Sequence, residues 1–192
     1  MPVGYLQYQL EQESRLGGAA NVALNIASLG GSASLVGVTG DDEAADTLDQ
    51  NLATLGVKSH FLRQTSMPTI TKLRVLSRHQ QLIRLDFEQS IAKVDKSQLN
   101  NVVEGLLADH NLLLLSDYAK GTLSDVQALI TSAKANNIAV LVDPKGTDFA
   151  KYRGATLLTP NLSEFEAIVG ECNDEVELVA KMINELDIIE ED

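Results

Sequence analysis

Tryptophan is absent and aromatic residues make up only 4% of the 192 residues, which argues against a stacking platform for nucleic-acid bases. Cationic residues are also few, 15 Lys and Arg against 27 Asp and Glu, for a formal net charge of -12. That balance disfavours nucleic acid or an anionic membrane held through bulk charge. One cysteine, Cys172, leaves no internal disulfide and no cysteine-based metal cluster. His60, His79 and His110 stand apart without metal-ligand spacing. No apolar run approaches the roughly 20 residues of a membrane span, and no secretory apolar segment opens the chain. The expectation is a cytoplasmic protein. No G-x-S-x-G elbow and no G-x-x-x-x-G-K-[ST] loop occurs, so hydrolase-elbow and Walker-type chemistries are excluded.

What remains is an ordinary globular composition, 44% hydrophobic, in a chain long enough for one sizeable core. Its organising stretch runs from Arg15 to Ala27. Gly17-Gly18 lets the backbone pass close to another group, and an alanine-rich helix follows. Asn21 and Asn25 lie one turn apart and share a face that Ser28 extends, whereas Val22, Ala23, Ile26 and Leu29 are expected to cover a core. Amides beside a Gly-Gly entry suit a hydroxyl-rich ligand, because they both donate and accept. A glycine turn with solvated asparagines is the competing reading.

Tyr5–Leu10 is a candidate strand. Ser32–Val38 reads as a buried strand, and Thr39–Glu43 as a turn leading into a helix cap with acids in the first turn. Ala44, Leu48, Leu52 and Leu55 form a helical stripe that Gly56 ends. Two alternating runs then follow: Thr71, Leu73 and Val75 oppose Lys72 and Arg74; Ile83, Leu85 and Phe87 oppose Arg84 and Asp86. We read residues 58–90 as a small β insert able to act as a lid, a subunit contact, or both, with an edge of the main sheet as the alternative. Beyond residue 95, helices marked by Leu99–Leu107, Val126–Ala133, Asn161–Val169 and Val176–Ile183 alternate with short apolar strands 112–115, 138–142 and 156–158. Ser163 and Glu166 are spaced as a capping box. This rhythm implies an α/β fold, a parallel sheet with helices on both faces.

Ligands of such sheets bind beyond the carboxyl ends of the strands. Those ends carry Ser116-Asp117-Tyr118-Ala119-Lys120-Gly121, Asp143-Pro144-Lys145-Gly146 and Thr159-Pro160-Asn161-Leu162-Ser163-Glu164. Lysines and a helix N-terminus suit phosphate, and carboxylates beside them suit Mg²⁺. A polyphosphate–Mg²⁺ site is therefore coherent. The competing readings are an exposed Asp143–Lys145 ion pair and a plain helix cap at Asn161.

Gly17-Gly18-Ala19-Ala20-Asn21-Val22-Ala23, with Leu29-Gly30, resembles the first signature of the ribokinase-like (PfkB-type) carbohydrate kinases. The blocks Thr71–Val75, Gln80–Asp86, Leu115–Gly121, Asp143–Phe149 and Thr159–Glu166 look most like the group acting on heptose 7-phosphate, whose domain is often fused to an adenylyltransferase in ADP-heptose synthesis for lipopolysaccharide. The resemblance runs from about residue 15 to about residue 185. It implies a ribokinase-like three-layer fold with a β lid, and transfer of a phosphoryl group from ATP, with Mg²⁺, to C1 of D-glycero-D-manno-heptose 7-phosphate. It further implies that Gly17, Gly18 and Asn21 hold the sugar, that Asp117 is a sugar-contacting acid, and that Arg74 reaches the substrate's own phosphate. Asn161, Leu162, Ser163 and Glu164 would face the ATP phosphates and Mg²⁺, with Glu164 toward the metal, and Asp143 and Lys145 would border that space. The lid would carry a homodimer contact. The family's D-T-x-G-A-G-D segment, source of the catalytic aspartate and an anion hole, does not occur among residues 1–192, nor does its opening G-D-x-M-x-D strand. The expectation is a single partial kinase domain over 1–192, truncated relative to the family and inactive alone. A non-catalytic sugar-phosphate or dimerisation module, and a kinase of another sugar, are the alternatives.

Overall fold

The computed structural model describes residues 13–77, 80–89, 91 and 94–181. The candidate strand Tyr5–Leu10, His79 and Ile183 lie outside them. The chain alternates α1 (Ala19–Ser28), β1 (Ser34–Gly40), α2 (Glu43–Thr54) and β2 (Lys58–Gln64), and then forms the hairpin β3 (Thr71–Ser77) and β4 (Gln80–Phe87). Alternation resumes with α3 (Ser97–Leu107), β5 (Leu112–Ser116), α4 (Val126–Ala135), β6 (Ala139–Asp143), β7 (Leu157–Leu158) and α5 (Leu162–Val169). Residues 175–181 are helical again.

Strands β1 and β2 pair in parallel, as do β5, β6 and β7 in that order, and each parallel step crosses over through a helix or a 3-10 turn. Strand β1 shows why helices occupy both faces. Leu35 packs with Ala20, Ala23, Leu52 and Val57, from α1, α2 and the turn after α2. Val36 and Val38 point the other way, onto the core built by α3, α4, β5 and β6. The period of two in a strand makes that division. In α4 all four residues of the expected stripe, Val126, Leu129, Ile130 and Ala133, are buried.

Helix α2 ends as its glycine requires. Gly56 adopts φ 76°, its N–H donates to the Ala53 carbonyl, and the Val57 N–H donates to that of Leu52. This is a Schellman closure with Val57 and Leu52 both buried beside it. Helix α1 closes the same way, and this corrects one expectation. The chain turns at Gly30 with φ 87°, so Leu29 is turned out to 89% exposure, and Ala20 joins Ala23 on the buried face. A second correction concerns α5. Its capping box is Asn161 with Glu164, not Ser163 with Glu166: the Glu164 N–H donates to Asn161 Oδ1 at 3.0 Å and the Asn161 N–H to Glu164 Oε2 at 3.1 Å. Asn161 follows Pro160 in extended backbone, the conformation a cap needs, so the helix starts there.

The hairpin pairs Leu73 with Leu85 and Val75 with Ile83, and Lys72 with Asp86 on the opposite side, with a bulge after Val75. Two polar fastenings tie it down. At its entry, Thr69 donates from its N–H and its hydroxyl to the two Asp42 oxygens, at 2.7 and 2.6 Å. Asp42 also caps α2 by accepting from the Ala45 N–H at 3.0 Å, and the Thr69 hydroxyl accepts from the Gly40 N–H at 3.0 Å. The hydrogen bonds from Thr69 hold the Asp42 carboxyl below its usual range. At its exit, Lys120 pairs with Glu88 at 2.6 Å. Farther back, Arg63 of β2 bridges Asp46 at 2.6 Å and Asp49 of α2.

Gly40 sits where no side chain fits. A Cβ there would lie 2.6 Å from the Thr69 nitrogen and 2.7 Å from the Met67 oxygen, both backbone atoms. Gly40→Ala is therefore expected to destabilise the fold by about 1–3 kcal/mol, read as a lowered midpoint in urea denaturation. An unchanged midpoint would contradict this packing.

Candidate active site

The carboxyl ends of β5 and β6 and the start of α5 converge on a cavity of about 270 Å³ lined by Asp117, Tyr118, Asp143, Pro144, Lys145, Thr159, Pro160, Asn161 and Glu164. Parallel pairing places them together: Ser116 lies in register with Asp143, and the Asp117 N–H donates to the Asp143 carbonyl at 2.9 Å. Of the residues singled out in the sequence, Asp117, Asp143, Lys145, Asn161 and Glu164 thus share one cavity. Leu162 and Ser163 follow, exposed, in the first turn of α5.

Gly17, Gly18 and Asn21 open α1 and are exposed. Gly18 has φ 54° and stands beside the Tyr118 ring, so that a Cβ would sit 3.6 Å from the ring edge. Tyr118 thereby joins the Gly-Gly entry to the cavity. Arg74 lies on the hairpin directly opposite Arg84, outside the cavity lining. Arg84 is held by Asp86 through two 2.9 Å hydrogen bonds.

Asp117 is 8% exposed. Its Oδ1 accepts from the Ala119 N–H at 2.7 Å; its Oδ2 accepts from Lys151 Nζ at 2.8 Å and the Tyr152 hydroxyl at 2.6 Å. Burial alone would raise this carboxyl, but these donors outweigh burial and hold it below the usual aspartate range. Lys151 Nζ also donates to the Lys145 carbonyl at 3.2 Å and stands 4.7 Å from the centre of the Tyr152 ring. The Lys145 N–H donates to the Tyr152 hydroxyl at 3.2 Å. One buried network therefore fixes two strand-end loops. Sequence reasoning did not single out Lys151 and Tyr152. The signal was a tyrosine in an aromatic-poor chain: once buried, its hydroxyl must find a partner.

On the far side of the cavity, Lys145 Nζ pairs with Glu164 Oε1, and Glu164 Oε2 closes the capping box. The competing Asp143–Lys145 pair is thus replaced by Lys145–Glu164, which holds the Glu164 carboxyl low and the Lys145 ammonium high. Asn161 is a cap, and it also lines the cavity. Among the described residues no three His, Cys, Asp or Glu side chains form a ready metal cage. Mg²⁺ seldom uses one; one or two carboxylates beside a phosphate suffice. Asp143 and Glu164 supply such oxygens, and Lys145 and the α5 N-terminus supply complements to phosphate, so the donor set fits a metal–polyphosphate.

The folded Asp117 carboxyl titrates below its unfolded value. Its stabilisation is therefore complete above about pH 4 and lost as pH falls below that. Tyr152→Phe, which removes a donor from a buried carboxylate, is expected to cost about 1–3 kcal/mol at pH 7. Asp117→Asn is expected to lie closest to the wild type near pH 2 and to diverge from it toward pH 6. Urea melts across pH check both; a gap that does not change with pH would contradict the network.

Residues 4–189 match the model of the pfkB family carbohydrate kinases. The chain is 63% identical over 171 residues to the bifunctional protein HldE of Azotobacter vinelandii, covering 89% of this chain and 36% of that protein. It is 62% identical over 179 residues to the HldE of Pseudomonas entomophila, covering 92% and 38%. The chain thus spans little more than a third of the length of these curated relatives. Solved structures share its fold. Ribokinase from Giardia lamblia superposes with a TM-score of 0.70 at 16% identity, covering 88% of this chain and 55% of that one. Phosphofructokinase-2 from Escherichia coli in complex with fructose-6-phosphate gives 0.69 at 21%, covering 97% and 65%. Among the described residues no helix is long and apolar enough to cross a membrane. With the family model spanning nearly the whole chain and a phosphate-suited cavity at the strand ends, the chain belongs to the pfkB family of carbohydrate kinases.

Proposed function

We propose that these residues form the sugar-kinase part of a bifunctional protein, which transfers the terminal phosphoryl group of ATP to the C1 hydroxyl of D-glycero-D-manno-heptose 7-phosphate. The identity of about 60% to bifunctional HldE proteins over some nine-tenths of the chain carries this reading. The cavity supports it. In this reading Gly17, Gly18 and Asn21 hold the sugar, Asp117 borders it, and Arg74 meets the 7-phosphate. Lys145 and the first turn of α5, Asn161 to Glu164, orient the ATP phosphates, as fixed donors at a helix N-terminus do. Asp143 and Glu164 hold Mg²⁺, and Lys145 exchanges its partner Glu164 for a phosphate oxygen. When bound, the ion neutralises charge that develops on the transferring group.

Proton acceptance from the attacking hydroxyl has no assigned residue here, because the D-T-x-G-A-G-D segment is not among residues 1–192. We therefore propose that residues 1–192 bind substrates without turning them over. We also propose a homodimer through the hairpin. Leu73, Val75, Ile83, Leu85 and Phe87 of its apolar side are each 41–52% exposed, and burying such a face is the main driving force of association.

Calorimetry with Mg·ATP is expected to give saturable binding that Lys145→Met weakens about ten-fold, with no product from heptose 7-phosphate. Turnover at a kinase rate would overturn the inactivity of residues 1–192, and an absence of nucleotide binding would overturn the site assignment. Light scattering is expected to give a dimer that Leu85→Lys converts to a monomer; a monomeric parent would overturn the hairpin contact.

A further inference from the structure

Tyr118 is an exposed aromatic, 46% accessible, in a chain with only four tyrosines, four phenylalanines and no tryptophan. It lines the cavity. The edge of its ring stands against Gly18, where a Cβ would be 3.6 Å from Cε2 and 3.7 Å from Cζ. The next residue, Ala119, has φ 53°, a left-handed conformation that costs a non-glycine residue about 1 kcal/mol. Ala119 is held there by the 2.7 Å hydrogen bond from its N–H to the buried Asp117 carboxylate. Lys120 is tied to Glu88 at 2.6 Å. Asp117 before the tyrosine and Ala119 and Lys120 after it are thus all fastened, Ala119 against its backbone preference. Strained residues of this kind cluster at active sites and ligand clamps.

We propose that Tyr118 is the specificity-determining wall of the sugar site, its ring covering the C–H-bearing face of the substrate between the Gly17-Gly18 entry and the phosphate half of the cavity. The inference rests on the reading of the cavity as a sugar-kinase site. A polyhydroxylated ring offers apolar C–H groups on its faces and hydroxyls at its edge. An aromatic wall at the Gly17-Gly18 entry, with the Asn21 amide one turn along α1, matches both, and the phenol hydroxyl adds a polar contact at the wall's rim. Adenine would also stack on an aromatic face. The position of the ring edge against Gly18, where α1 begins, favours the sugar.

The test is calorimetry on the purified full chain with two separate probes, heptose 7-phosphate and Mg·ATP, repeated with fructose 6-phosphate. Tyr118→Ala is expected to weaken sugar-phosphate binding about ten-fold and leave Mg·ATP binding within about two-fold of the parent. Tyr118→Phe is expected to recover most of the loss. Ala119→Gly, which relieves the strained backbone without touching the cavity, is expected to raise the melting temperature while weakening the sugar phosphate. Tyr118→Ala binding the sugar phosphate as tightly as the parent, or losing Mg·ATP equally, would overturn the proposal and leave the kinase reading intact. If the parent prefers fructose 6-phosphate and Tyr118→Ala weakens it, the wall stands and the heptose assignment falls. A parent that binds no sugar phosphate overturns both.

Discussion

A carboxylate taken out of water is tolerated only when other groups replace the water it loses, and Asp117 meets that condition through one local donor, the Ala119 N–H, and two donors from a single distant segment. Tyr152 and Lys151 lie 35 and 34 residues beyond it in sequence. Their approach brings the 3-10 turn at Ala150–Tyr152 under the strand ends and pins the Lys145 backbone through the same hydroxyl. Remove the carboxylate, and the lysine and phenol lose the nearer of two shared acceptors, the other being the Lys145 carbonyl at 3.2 and 3.4 Å. The loops after β5 and β6, which form two sides of the cavity, would then lose the side-chain part of their common support and keep the backbone hydrogen bond from the Asp117 N–H to the Asp143 carbonyl. The site is preorganised by a buried polar network, the kind of arrangement that pays only when every member is satisfied.

Across the cavity the logic is reversed. Lys145 and Glu164 are partners at the surface, with 50% and 13% of their side chains exposed, and it is the Lys145 backbone, not its ammonium, that the Tyr152 hydroxyl holds. A surface pair of this kind contributes little to stability. The cavity therefore has one rigid wall, set by Asp117, and one exchangeable wall, set by Lys145. That asymmetry suits a site in which one ligand must be placed and another charged group must come and go.

Much of this was legible in the sequence, and the limits are instructive. The Gly17-Gly18 entry, the hairpin and the three strand-end loops all announce themselves locally, through glycine, alternation and polar residues after short apolar runs. Leu29 was misplaced because a helical stripe says nothing about where a glycine turns the chain away. The capping box was misread because Ser163–Glu166 and Asn161–Glu164 have the same spacing, and only the extended backbone after Pro160 separates them. Lys151 and Tyr152 were invisible for a different reason. Their meaning lies in a contact across 34 or 35 residues, and no local pattern encodes such a contact. The same holds for Asp42, which reads as an N-cap but also receives Thr69 from 27 residues away.

That double engagement of Asp42 has a mechanical consequence. The carboxylate that fastens the entry of the hairpin is also the cap of α2, and one of its oxygens serves both the Ala45 N–H and the Thr69 hydroxyl. Movement of the hairpin about that root gives up two hydrogen bonds to the carboxylate that caps α2, so the position of the hairpin and the start of the helix are coupled through one side chain. The root of the hairpin is thus anchored to the start of α2, an element outside the cavity lining.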